Sequence, residues 1–185
     1  RSAIILGGAL LIAQETGLPL QTFEIGASAG LNLHFDRYAY DLGVGRWGDA
    51  AALVRLFCEW SGDSPPLDAP LSVVGRAGCD INPLDPLERA DRERLLAYVW
   101  ADQLERLARL ETALAHAAAR PERVERADAA DWFEKMLSVS PRRGCARVLL
   151  HTIVWQYLPL ETRARLSERI EAAGATATSE APFAW

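Results

Sequence analysis

Four short segments carry the side chains through which this chain can do chemistry: Glu24-Ile25-Gly26-Ala27-Ser28-Ala29-Gly30, Asp80-Ile81-Asn82-Pro83, Asp128-Ala129, and His151 to Tyr157. Each comes after an apolar stretch. A turn built from Gly26, Ala27, Ser28 and Gly30 lets a ligand lie against the backbone, because side chains there are small or missing. A helix beginning at Leu31 would then face the ligand with its free amides. Asp80 ends a second apolar stretch, the position from which a carboxylate accepts from both hydroxyls of a ribose. Asp128, with the small Ala129 after it, can accept from the exocyclic amine of a purine. His151 is the one side chain of this set whose ordinary pKa suits proton removal near neutrality, with Gln156 and Tyr157 able to position an acceptor. Taken singly, each feature also has a structural reading: a turn, a helix cap at Asp128, a core histidine among Leu149, Leu150 and Ile153.

The elements that must position these residues alternate. Ser2 to Thr16 reads as a helix closed by Gly17, with Pro19 just beyond. Strands are expected at Gln21–Ile25, Leu71–Ile81, Arg123–Ala127 and Arg147–Val154, the last apolar enough to be buried on both faces. A fifth is expected within Ala175–Trp185. Between the first two strands, Tyr38-Ala39-Tyr40 and Val54 to Trp60 alternate at period two, which predicts an antiparallel hairpin insertion over about residues 36–62. Asp85 and Pro86 open a predicted long helix whose stripe runs Leu96, Trp100, Leu104, Leu107, Leu110 and Leu114, with Trp100 in the core and His116 on the solvated side. His34 is read as a helix-surface residue or a substrate contact. Further helices are expected at Asp131–Leu137 and Leu160–Ala173. The long crossovers call for a Rossmann-like doubly wound α/β fold, a parallel sheet with ligands outside the carboxyl ends of its strands.

Two chemistries compete for the same atoms. Gly26-Ala27-Ser28-Ala29-Gly30 is also a G-x-S-x-G nucleophile elbow, and Ser28, Asp128 and His151 fall in the chain order of an α/β-hydrolase triad. That reading leaves Glu24 and the Asp80-Ile81-Asn82-Pro83 segment without a role. A pyrophosphate-bearing dinucleotide would require a G-x-G-x-x-G loop, which the sequence lacks.

With these motifs in place, the chain resembles class I S-adenosylmethionine-dependent methyltransferases, and more closely the bacterial family DUF2332. Glu24 to Leu31 is similar to the first methyltransferase motif, with Ser28 where the middle glycine would stand. Gly78 to Pro83 resembles the segment after the second strand, and Ala127-Asp128-Ala129 the adenine-binding position. The resemblance implies S-adenosylmethionine as cofactor, held by Glu24, Gly26, Ala27, Ser28, Gly30, Asp80, Ile81, Asp128 and Ala129. It further implies a small-molecule or protein methyl acceptor facing the fourth strand end, or a methyltransferase-like binding module without catalysis. Gly30 and Asp80 stand 50 residues apart, where a minimal unit needs about 20, so the insertion must leave the sheet and return.

Composition bounds the remaining possibilities. The 185 residues are 50% hydrophobic and 24% charged with a net charge of -5, the profile of a globular domain without affinity for nucleic acid. Lys135 is the sole lysine among 20 basic residues. The three cysteines, Cys58, Cys79 and Cys145, lack the spacing of a zinc site or disulfide framework, which points to a reducing cytoplasm and no structural metal. The apolar run Ala3–Ala13 falls short of the roughly 20 residues of a membrane helix. The chain opens at Arg1 and its single methionine is Met136, so it is read as one domain cut from a longer protein.

Overall fold

The computed structural model describes residues 1–185. In chain order its elements are α1 (Ser2–Thr16), β1 (Leu20–Ile25), a 3-10 helix (Leu31–Arg37), β2 (Ala39–Asp41), β3 (Arg46–Trp47) and β4 (Arg55–Phe57). Next come β5 (Val73–Asp80), α2 (Arg89–Leu96), α3 (Leu104–Ala118), β6 (Val124–Arg126), α4 (Ala129–Ser138) and β7 (Ala146–Leu150). A second 3-10 helix (Val154–Tyr157), α5 (Leu160–Ala175) and β8 (Phe183–Ala184) complete the chain. The main sheet has five strands in the order β6-β5-β1-β7-β8, every pair parallel. Taken by position along the chain this is 3-2-1-4-5, a Rossmann-like order with its reversal between β1 and β7. No helix is long and apolar enough to cross a membrane.

Burial explains why β1 sits in the centre. Five of its six residues are buried, because β5 and β7 cover both edges while helices cover both faces. On one face Leu20, Ala146 and Val148 pack with Leu6 and Leu10 of α1 and with Phe35 and Tyr40. On the other, Phe23, Ile25 and Leu149 pack with Trp132 and Phe133 of α4 and Leu166 and Ile170 of α5. Gly17, at φ 64°, ends α1 in the left-handed conformation glycine takes most readily.

The insertion differs from the expected hairpin. β2 and β4 pair in parallel, and the antiparallel partner of β2 is β3, so the small sheet runs β3-β2-β4. The turn is made at Gly43, φ 74°, with the Leu42 amide donating to the Gly45 carbonyl. Period two predicted the strands but carried no information on which neighbour each would choose. The expected long helix is also broken. Asp85 accepts from the Leu87 amide in a local turn instead of capping a helix, and α2 and α3 are separated over residues 97–103. Trp100, in that break, is 77% exposed and lies outside the core. The apolar stripe survives as Leu96, Leu110 and Leu114, packed with Ala29 and Leu84.

His34, read as a helix-surface residue or a substrate contact, and His116, read as solvated, are both buried, with ring centroids 5.5 Å apart beside Tyr38. Burial lowers their pKa values to about 3 and about 4, which keeps both rings neutral. The fourth strand ends at Leu150, four residues earlier than expected, and the fifth shrinks to Phe183–Ala184.

One buried ion pair fastens the segment next to the site loop. Arg76, in β5 with its side chain 6% exposed, donates to both Asp36 oxygens at 2.5 and 3.0 Å and to the Leu33 carbonyl at 2.8 Å. Removing one partner strands the other charge away from water. Arg76→Met is therefore expected to cost about 3–5 kcal/mol in urea denaturation, and the double variant Arg76→Met/Asp36→Leu to recover most of that loss. A double variant as unstable as the single one would show that the pair contributes net stability rather than mutual neutralisation.

Candidate functional site

Parallel register brings three strand ends to one edge. Ile25 lies opposite Cys79, and Asp80 opposite Arg126, so the chain leaves β1, β5 and β6 side by side. Past β1 the turn is pinned from within. The Ala27 amide donates to the Cys79 carbonyl at 3.0 Å, the Gly30 amide to the Ala27 carbonyl at 2.8 Å, and the Leu84 amide to the Ser28 carbonyl at 3.2 Å. Gly26, Ser28 and Gly30 all have positive φ, at 68°, 55° and 73°. For Ser28 this left-handed geometry costs roughly 1–2 kcal/mol relative to a right-handed residue.

Asp80 holds that turn in place. One carboxylate oxygen accepts from the Ser28 amide at 2.9 Å and the other from the Asn82 amide at 2.9 Å. A carboxylate has about four acceptor positions, so two remain. Ser28 thus contributes its backbone rather than its hydroxyl to the assembly. After Gly30 the chain forms a seven-residue 3-10 helix instead of the expected α-helix, and three amides of the turn are already paired within the protein.

A cavity of about 330 Å³ opens at this edge. Its walls combine Asp80 and Ile81 after β5, Ala127, Asp128 and Ala129 after β6, and Val154, Tyr157, Leu158 and Pro159 after β7, with Gly26 and Cys79 at the base. Ile81 and Tyr157, 71% and 76% exposed, stand at its rim. The thiol of Cys79 is pushed up to about 12 by burial and stays protonated. Gly26 is glycine for a steric reason: a Cβ there would fall 2.5 Å from Cβ and Cγ2 of Val154.

The sequence-selected residues divide between the cavity and its supports. Gly26, Asp80, Ile81, Asp128 and Ala129 line it, while Glu24, Ala27, Ser28, Gly30 and His151 do not. Asp128 is the N-cap of α4, accepting from the Ala130 amide at 2.8 Å and the Asp131 amide at 3.2 Å, and its second oxygen faces the Thr162 hydroxyl at 3.4 Å. His151 stands just past the end of β7, stacked on Trp155 at 5.2 Å and tilted against Trp185 at 6.0 Å. Burial lowers its pKa, so the imidazole is neutral at pH 7. With Asp128 engaged at α4 and His151 among tryptophans, Ser28, Asp128 and His151 are not joined as a hydrolase relay requires. Val154, Leu158 and Pro159 fall in or just after the segment marked out past the fourth strand, but none stands out individually in the sequence; the signal available is an apolar run continuing past a buried strand.

Compared with known families, residues 1–185 match one described as an uncharacterized protein conserved in bacteria, DUF2332. No curated protein and no solved structure matches the chain.

Glu24 lies behind the cavity, 1% exposed in β1. One oxygen accepts from the Asn32 side-chain amide at 2.8 Å, whose own oxygen accepts from the Ser2 hydroxyl at 2.9 Å, and the other oxygen has no partner. Burial pushes its pKa up to about 8, against the Asn32 bond and helped by the charge of Asp80. The folded protein therefore holds a proton here that the unfolded chain releases near 4.5. The stability linked to this group is complete below pH 4.5 and is lost as pH rises through about 8. Glu24→Gln, neutral at every pH, is expected to remove that dependence and to raise stability at pH 8.5 by about 4–5 kcal/mol. Denaturation curves at pH 5 and pH 8.5 that shift equally in both proteins would show Glu24 to be charged in the fold.

Proposed function

The chain belongs to the DUF2332 family of bacterial proteins, and from the geometry of its cavity we propose that it binds the adenosine half of S-adenosylmethionine and transfers the methyl group to a small-molecule or protein acceptor. The observation that carries this reading is the carboxylate of Asp80. It is oriented by two backbone amides at the end of the second strand of a Rossmann-like sheet, on the wall of a cavity, with acceptor capacity left for a ribose diol. The other walls suit a purine. Ile81, Ala129, Leu158 and Pro159 present apolar surface to a flat ring, and Asp128 stands where an exocyclic amine can be bonded. A cavity of about 330 Å³ falls within the range of small-ligand sites.

The cofactor supplies a methyl group already activated on a sulfonium, so the protein's own part is alignment and, for some acceptors, proton removal. In this reading Asp80 fixes the sugar and Ile81 with Leu158 fixes the base. His151, neutral, half-buried and three residues before the cavity-lining Val154, accepts a proton from the acceptor, and Tyr157 at the rim orients it. The turn that would approach a pyrophosphate has its amides paired internally, which disfavours a dinucleotide.

Calorimetric titration with S-adenosylhomocysteine tests the proposal. Binding is expected in the unaltered protein, about tenfold weaker in Ile81→Ala, whose exposed side chain is not needed for folding. In Asp80→Ala the binding is expected to disappear. Tighter binding of NAD than of S-adenosylhomocysteine, or equal affinity in all three proteins, would overturn it. With a methyl acceptor in hand, an unchanged turnover rate in His151→Ala would remove the proton-accepting role alone.

A further inference from the structure

The cavity stops at Gly26. Of the turn after β1, only that residue reaches the wall; Ala27, Ser28 and Gly30 lie beyond it. Val154 closes the space. Its side chain fills the volume that a Cβ on Gly26 would take, with Cβ and both Cγ atoms within 2.5–2.8 Å of that point. An adenosine moiety held by Asp80, Ile81 and Asp128 has to pass any longer 5′ substituent over this contact to reach the turn.

The backbone that holds Val154 there is unusual. Ile153 has φ 69° and ψ −38°, a positive-φ conformation near that of a γ-turn, which a β-branched residue adopts only when its surroundings impose it. The Val154 amide donates to the Thr152 carbonyl at 2.8 Å, completing a tight turn directly off β7. Val154 and Trp155 of the adjoining 3-10 helix are half-buried and pack against the core that holds Phe23, Leu149 and Leu166, so drawing Val154 back from Gly26 costs packing energy.

We infer that Val154 is a specificity-determining residue that separates a nucleoside compartment from the turn after β1, so that the closed site accepts adenosine and admits the amino-acid tail of S-adenosylmethionine only when Val154 is drawn back from Gly26. The inference rests on the nucleoside reading of the cavity. The tail contributes little affinity while the contact is closed, because the energy it gains is spent in displacing the Ile153–Val154 turn.

The test compares adenosine with S-adenosylhomocysteine by calorimetry in three proteins. Unaltered protein is expected to bind the two within about threefold of each other, and Val154→Ala, which removes the obstructing methyls, to bind S-adenosylhomocysteine about tenfold more tightly with adenosine unchanged. Val154→Thr keeps the volume and is expected to keep the original ratio, which distinguishes loss of bulk from general loosening. Thermal melts confirm that each variant is folded. Adenosine binding with the same ratio in all three proteins, or a preference for S-adenosylhomocysteine of tenfold or more before any substitution, would overturn the role of Val154 and leave the nucleoside site standing. Failure of both ligands to bind any of the three would overturn both.

Discussion

β1 lies in the middle of an all-parallel sheet, flanked by β5 and β7 along its length, and the rest of the architecture is arranged around that placement. A strand so placed has no open edge and no open face, so the chain can leave it only at its carboxyl end. The chains leaving β5 and β7 depart in the same direction into the same space. Gly26 meeting Val154, Ala27 bonding to Cys79 and Ser28 bonding to Asp80 are three consequences of that crowding. The cavity is the space the crowding leaves over, bounded by three connections that diverge to helices on opposite faces.

Polar groups inside the fold obey a consistent logic. Where two charges are buried together, as at Arg76 and Asp36, geometry is bidentate and further acceptors are supplied. Where a titratable group is buried without an opposite charge, it is held in its neutral form, as burial does for Glu24, His34 and His116. Asp80 belongs to neither class. Backbone amides stabilise its carboxylate at the cavity wall, which keeps an acceptor available where a ligand can reach it.

Arg147 adds a contrast within β7. It is buried, with its Nε and one Nη lacking hydrogen-bond partners, and burial holds its pKa below the usual range. It lies one residue from the start of the strand, at the opposite end from the cavity. The sheet thus carries its polar strain at both ends of its central strands, and apolar residues such as Phe23, Val148 and Leu149 between them.

Local signals in the chain specify the parallel sheet, the placement of Asp80 and Asp128 at strand ends, and the small-residue turn between Glu24 and Gly30: apolar runs of strand length, helix stops, and the steric needs of a sharp turn. They also mark the strands of the insertion, since alternation along a strand is a local property. Which strand pairs with which is not: the turn at Gly43 brings β3 back antiparallel to β2, and β4 takes the other edge of β2 in parallel. The burial of His34 and His116, the exposure of Trp100 and the break between α2 and α3 were likewise decided only in three dimensions, where contacts among distant segments outweigh helical periodicity. Val154 against Gly26 is the sharpest case. The two residues are 128 positions apart, neither is unusual for its own segment, and their contact exists only because β1 and β7 are neighbours whose ends share one space.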